Sequence, residues 1–114
     1  MSNFPNAKLP FETLCEEKEL RIVYCYKCQA FHVNYGSIKL DLYKPALEQL
    51  ILTLTEKKEY YETLDDGYVR TIKVKTNSNG ISLLMDLLEV EYFLKMLRKA
   101  FWKFEANYWG VSLN

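Results

Sequence analysis

A chain of 114 residues, 49% apolar and 15% aromatic, has the size and content of one folded domain rather than a disordered segment. Fifteen basic and fifteen acidic residues cancel, so no global field draws a phosphate backbone, and nucleic acid is excluded as a main partner. No run approaches the ~20 apolar residues of a bilayer-spanning helix, so no membrane partner is expected either.

Residues 1–10, with Pro5 and Pro10, read as an irregular lead-in. They lack a basic stretch followed by an apolar one, so no secretory leader is expected and the cytoplasm is the default location. Residues 11–15 read as a short edge strand and Glu16 to Glu19 as a charged turn. Leu20-Arg21-Ile22-Val23-Tyr24 is a strand by its β-branched and aromatic content. It is expected to meet residues 29–35 across a two-residue loop, Tyr26-Lys27, with Cys25 facing Cys28 and Arg21 facing His32. Alternation puts Phe31, Val33 and Tyr35 on one face of that strand, and His32 and Asn34 on the other. Gly36 permits a tight turn into Ile38, Leu40 and Leu42.

Pro45 suits the first position of a helix, where its missing N–H is not needed. Leu47, Leu50, Ile51 and Leu54 follow at helical spacing. The pattern fades near Tyr60, and Asp65-Asp66-Gly67 reads as a turn. A second hairpin then runs from Thr71 to Lys75, through Asn77-Ser78-Asn79-Gly80, and back from Ile81 to Met85. Asp86 and Glu89 have the spacing of a capping box before a second helix near Leu87. Leu87, Val90, Leu94, Leu97 and Phe101 form its main apolar stripe. Leu88, Tyr92, Met96 and Trp102 lie beside that stripe and widen it. Phe104, Tyr108, Trp109 and Val111 carry apolar content almost to the end, so the tail is expected to dock.

Residues 20–61 and 68–108 therefore repeat one pattern, hairpin then helix, without repeating its letters. The expected fold is α+β: a single domain over residues 1–114, with an antiparallel sheet of four to six strands and two helices packed on one face (ββα-ββα-like).

One local feature carries possible chemistry, Cys25-Tyr26-Lys27-Cys28. Two thiols at this spacing on a tight turn can occupy neighbouring corners of a tetrahedral zinc–thiolate site with bonds of about 2.3 Å. A structural zinc site needs four ligands, and this motif supplies two. If residues 28–32 are extended, His32 lies about 13 Å from Cys28 at ~3.3 Å per residue, and Cys15 should lie farther still. Neither is expected to complete the site. A second chain could supply its own pair across a two-fold axis. A redox role would need one thiol of lowered pKa, commonly at a helix N-terminus, and strands, not a helix, follow Cys28.

The cysteine pair, the aromatic-rich strand, the glycine after Asn34-Tyr35, the aliphatic strand and the Pro45-started leucine helix together resemble a set of small uncharacterised proteins of Bacteroidetes, described only as a domain of unknown function. The resemblance covers about residues 20–55. Those proteins often carry the glycine of a metal knuckle directly after the second cysteine; Gln29 stands there in this chain. The resemblance implies no activity.

No Gly-rich phosphate loop, HExxH or GxSxG is present, so no enzyme is expected. The leading functional expectation is a non-enzymatic interaction or scaffold domain. Its protein partner, or a second copy in a homodimer, would be met by the surplus apolar residues Leu88, Tyr92, Met96, Trp102 and Trp109. The alternative is a thiol-dependent module, zinc knuckle or redox pair, built on Cys25 and Cys28. Zinc is the single cofactor the residues allow for, and none is required.

Overall fold

Hairpins with short turns pair strands in chain order, and that is the first layer here. The computed structural model describes residues 10–64, 71–76, 78 and 80–108. In it β1 (Phe11–Glu17), β2 (Leu20–Cys25), β3 (Ala30–Tyr35) and β4 (Ile38–Leu42) form one antiparallel sheet, ordered β1-β2-β3-β4. Gly36, at φ +61°, opens the two-residue turn between β3 and β4, and Tyr35 pairs with Ile38 across it. β1 runs two residues further than its sequence suggested, because Glu16 and Glu17 pair with Arg21 and Leu20. A register shift between Thr13 and Cys15 turns both Leu14 and Cys15 into the core.

The β2–β3 turn differs from the two-residue loop expected. Cys25 pairs with Ala30, not Cys28, so residues 26–29 all belong to the turn and His32 faces Val23 rather than Arg21. The reason lies at Gln29, whose φ of +56° is in the left-handed region. Glutamine rarely adopts that conformation, so its sequence gives no hint of the longer turn.

Helix α1 (Lys44–Leu64) begins with Pro45 in its first turn and buries Leu47, Leu50 and Leu54. It continues past Tyr60, with Lys58 paired to Glu62 one turn on. The Asp65-Asp66-Gly67 turn lies outside the described residues. β5 (Ile72–Lys75) and β6 (Ser82–Met85) precede α2 (Leu87–Tyr108). The capping box at the start of α2 is reciprocal: the Glu89 amide donates to Asp86 Oδ1 at 2.8 Å and the Asp86 amide to Glu89 Oε1 at 2.9 Å.

The protein is α+β, as expected, with a four-stranded sheet and two helices. The second hairpin, however, stands as a separate two-stranded sheet instead of joining the first. On the free edge of β4, the Asp41 amide donates to Ser78 Oγ at 3.3 Å. A side-chain hydroxyl thus occupies a position that a ladder would need. Ile72, Val74, Leu83 and Met85 still point into the same core as Leu20, Ile22, Phe31, Val33, Leu40 and Leu42. Both helices cover that inner face, antiparallel to each other, with Lys44 of α1 beside Glu105 of α2 and Lys58 beside Glu91.

The buried stripe of α2 is Val90, Phe93, Leu97, Ala100 and Phe104, with Leu94 and Met96 at its flanks. Phe93 is fully buried and stacks on Tyr35 with centroids 5.2 Å apart. Among the described residues no helix is long and apolar enough to cross a membrane. Truncating Phe93 to alanine removes the ring that joins α2 to β3. We expect Phe93→Ala to cost about 3–5 kcal/mol, measured as the shift of a urea unfolding midpoint.

Candidate metal centre

The inner face of the four-stranded sheet is covered by helices, so the side chains that its strands present to solvent lie on the outer face. Strand alternation delivers Val23 and Cys25 of β2 and His32 and Asn34 of β3 to that face. The four-residue turn then folds Cys28 back over the strand that follows it. Its Sγ comes to 3.5 Å from His32 Nε2, where an extended segment would have held the two about 13 Å apart. The exclusion of His32 from the thiol site is therefore corrected, and the left-handed Gln29 is its cause.

Cys25 Sγ, Cys28 Sγ and a His32 ring nitrogen all lie within 4.8 Å of one another. For tetrahedral zinc, bonds of about 2.3 Å to sulfur and 2.0–2.1 Å to nitrogen place S and N about 3.6 Å apart and two sulfurs about 3.8 Å apart. The Cys28–His32 edge already has that length. Cys25 is buried, His32 half-buried and Cys28 exposed, so the set opens toward solvent on one side.

The histidine is held from behind. His32 pairs directly with Asp41 across the β3–β4 ladder, and its Nδ1 lies 2.6 Å from Asp41 Oδ1. With Nδ1 turned to the Asp41 carboxylate, a neutral imidazole bound to a metal would use Nε2, the nitrogen that faces the thiols. Asp41 is in turn pinned through its backbone by Ser78, which is buried and whose own amide donates to Thr76 Oγ1. Sequence reasoning gave Asp41 no role and so missed this partner of His32. The signal was present: a two-residue turn at Gly36-Ser37 makes residues 32 and 41 opposite. Phe11 of β1 packs edge-on to the imidazole at 6.4 Å between centroids.

The thiols are electrostatically unequal. The Cys28 thiol and the Cys28 backbone N–H, the latter at 3.3 Å, both donate to Cys25 Sγ, with smaller help from His32 and the Lys27 amide. Together they draw the Cys25 thiol down from 9.0 to about 7. Donating that hydrogen bond pushes the Cys28 thiol up, and desolvation adds to it. Amides aimed at a sulfur are what a thiolate ligand requires. The turn itself is tied to β1 by the Tyr26 amide on the Pro10 carbonyl at 2.8 Å and by the Tyr26 hydroxyl on Glu12.

Cys15 is absent from the cluster, as expected. It lies on the other side of the sheet, its thiol 3.5 Å from Met96 Sδ, and burial pushes its pKa up. The residues suggested for a partner surface scatter. Leu88 and Trp102 are 76% and 60% exposed, but exposed Lys95 and Lys99 lie between them on α2. Met96 belongs to the core rather than to a surplus surface, because the β1 bulge brings Cys15 against it. Tyr92 is half-buried and donates to Glu17, and Trp109 lies outside the described residues.

A sheet carrying a two-cysteine turn and a carboxylate-held histidine defines the class: a small α+β protein with a candidate metal-ligand set on an open sheet face. The chain belongs to a family of unknown function, DUF6686, whose model matches residues 9–109. No curated protein and no solved structure matches it.

Two measurements follow. Gln29→Gly removes a side chain from a left-handed position, so it should gain up to about 1 kcal/mol in chemical unfolding; a clear loss would show that Gln29 makes a contact worth more than its strain. In metal-free, reduced protein the thiol pair should lose its first proton near pH 7, seen as thiolate absorbance rising through that pH. Cys28→Ala, which deletes the strongest donor to Cys25, should move the midpoint up.

Proposed function

We propose that this protein is a zinc-binding domain, with Cys25, Cys28 and His32 as ligands, Asp41 orienting the histidine, and the fourth coordination position open. The observation that carries this reading is the chain from Cys28 Sγ to His32 Nε2, at 3.5 Å, and on from His32 Nδ1 to Asp41, at 2.6 Å. A histidine that ligates a metal through one nitrogen commonly donates its other N–H to a carboxylate. Bound zinc would supply Lewis acidity at this face. Three protein ligands plus one exchangeable site is the pattern of a reactive or ligand-binding centre rather than a closed structural one.

The redox reading of the same thiols has one support, the lowered pKa of Cys25. It uses His32 only as a minor donor to Cys25 and gives Asp41 no part, whereas the zinc reading uses all four groups. The interaction-domain reading loses Met96 to the core and finds lysines between Leu88 and Trp102. Self-association remains a proposal that light scattering tests directly.

Purified, reduced full-length protein should take up one equivalent of zinc by elemental analysis and competition titration. Cys28→Ser and His32→Ala should abolish tight uptake, and Asp41→Asn should weaken it about 10–100-fold. No uptake by the wild type, or undiminished affinity in Cys28→Ser, would overturn the assignment.

A further inference from the structure

The three-residue cluster sits at one end of a groove of about 400 Å³ on the outer sheet face, and the other end of that groove is cationic. We propose that the groove takes a small organic anion, whose donor atom fills the metal's open position and whose acid group is held by Arg21 and Lys39. This rests on the zinc reading above and adds the ligand class.

The argument starts from register. Val23, His32 and Asp41 form one row across β2, β3 and β4, and Arg21, Asn34 and Lys39 form the next row on the same face. Rows on one face of a strand are about 7 Å apart. The two cations flank Asn34 on the neighbouring strands, so guanidinium, amide and ammonium converge on one side of the ligand set. All three line the groove together with Cys25, Cys28 and His32.

Neither cation is committed elsewhere. Arg21 meets Glu16 only through Nε, at 3.8 Å, and both side chains are more than half exposed, a pair of little strength. Lys39 has no ion pair with any described residue. Across β1 the Arg21 row continues to Glu16, the partner just named, and the carboxylate of the adjoining row, Asp41, is occupied by His32.

Charge then selects the ligand. Two thiolates formally neutralise zinc, so the open position alone does not favour an anion over a neutral donor. Arg21 and Lys39 supply that preference, and a guanidinium fork recognises a carboxylate or phosphate by paired hydrogen bonds. Val23 lies in the row between the two ends and the ring of Phe11, opposite Cys25, walls the thiol end, so the apolar lining suits a short apolar spacer joining donor and acid.

The test uses full-length protein loaded with Co(II), whose thiolate absorption reports both metal uptake and entry of a fourth ligand. The probes are 4-mercaptobutyrate and its uncharged counterpart 4-mercaptobutanol. Wild type should bind the acid about tenfold more tightly than the alcohol. Arg21→Gln and Lys39→Gln should each reduce that advantage and together abolish it, while Co(II) uptake stays unchanged. Equal affinity for the two probes in wild type, or an advantage that survives in the double variant, would overturn the anion site and leave the metal site standing. Failure of wild type to take up Co(II) through Cys25, Cys28 and His32 would instead remove the metal reading and this proposal with it.

Discussion

The pairing of His32 with Asp41 across β3 and β4 is the constraint from which the rest of the site follows. A two-residue turn at Gly36-Ser37 leaves no freedom in that register, and a slip of one residue would send His32 into the core and Phe31 to solvent. The core enforces the choice, because Phe31 and Val33 are completely buried among Tyr24, Phe104 and the helices. Thus the helices never touch the ligand set, yet they decide which side of the sheet carries it. The imidazole gains its orientation from the same register, since the strand neighbour placed opposite it is an acid.

A second constraint acts on the turn. Four residues separate β2 from β3, and the left-handed Gln29 reverses the chain so that Cys28 lies over its own strand. A two-residue hairpin would have put the second thiol in the ladder opposite the first, with its side chain fixed by the pleat. The longer turn frees it to approach His32. It also turns the Cys28 amide toward Cys25 Sγ. One backbone conformation therefore sets both the distance between ligands and the ionisation of one of them.

These two constraints were unequally visible in the amino-acid sequence. The strands, both helices, the capping box and the inward face of β3 could be read because alternation, helical spacing and glycine or proline punctuation agree there. The Asp41 contact was also within reach, as a consequence of the turn at Gly36. The Cys28–His32 approach was not, because it depends on a glutamine in a conformation that its chemistry disfavours. Nor did the pattern reveal that the second hairpin would stand apart, with a serine hydroxyl meeting the β4 edge amide where a ladder bond would lie. The wide apolar face of α2 was misjudged for a different reason. Periodicity cannot see the bulge in β1 that brings Cys15 down onto Met96.

The position of the ligand set bears on what a metal there would do. Small zinc domains that fold around their ion have little other core, so binding free energy is folding free energy. Here one apolar cluster already joins both sheets and both helices, and the ligands lie outside it, on the opposite face of the sheet. An ion at this position would be held by a fold that exists without it. The candidate ligands are also graded from buried Cys25 through half-buried His32 to exposed Cys28, so a metal held by them would keep its remaining position toward water. A staple gains nothing from an exposed corner, and closed four-ligand coordination is the usual form of one. A rigid sheet that presents three donors and braces the histidine from beneath has instead the arrangement of a preorganised binding centre.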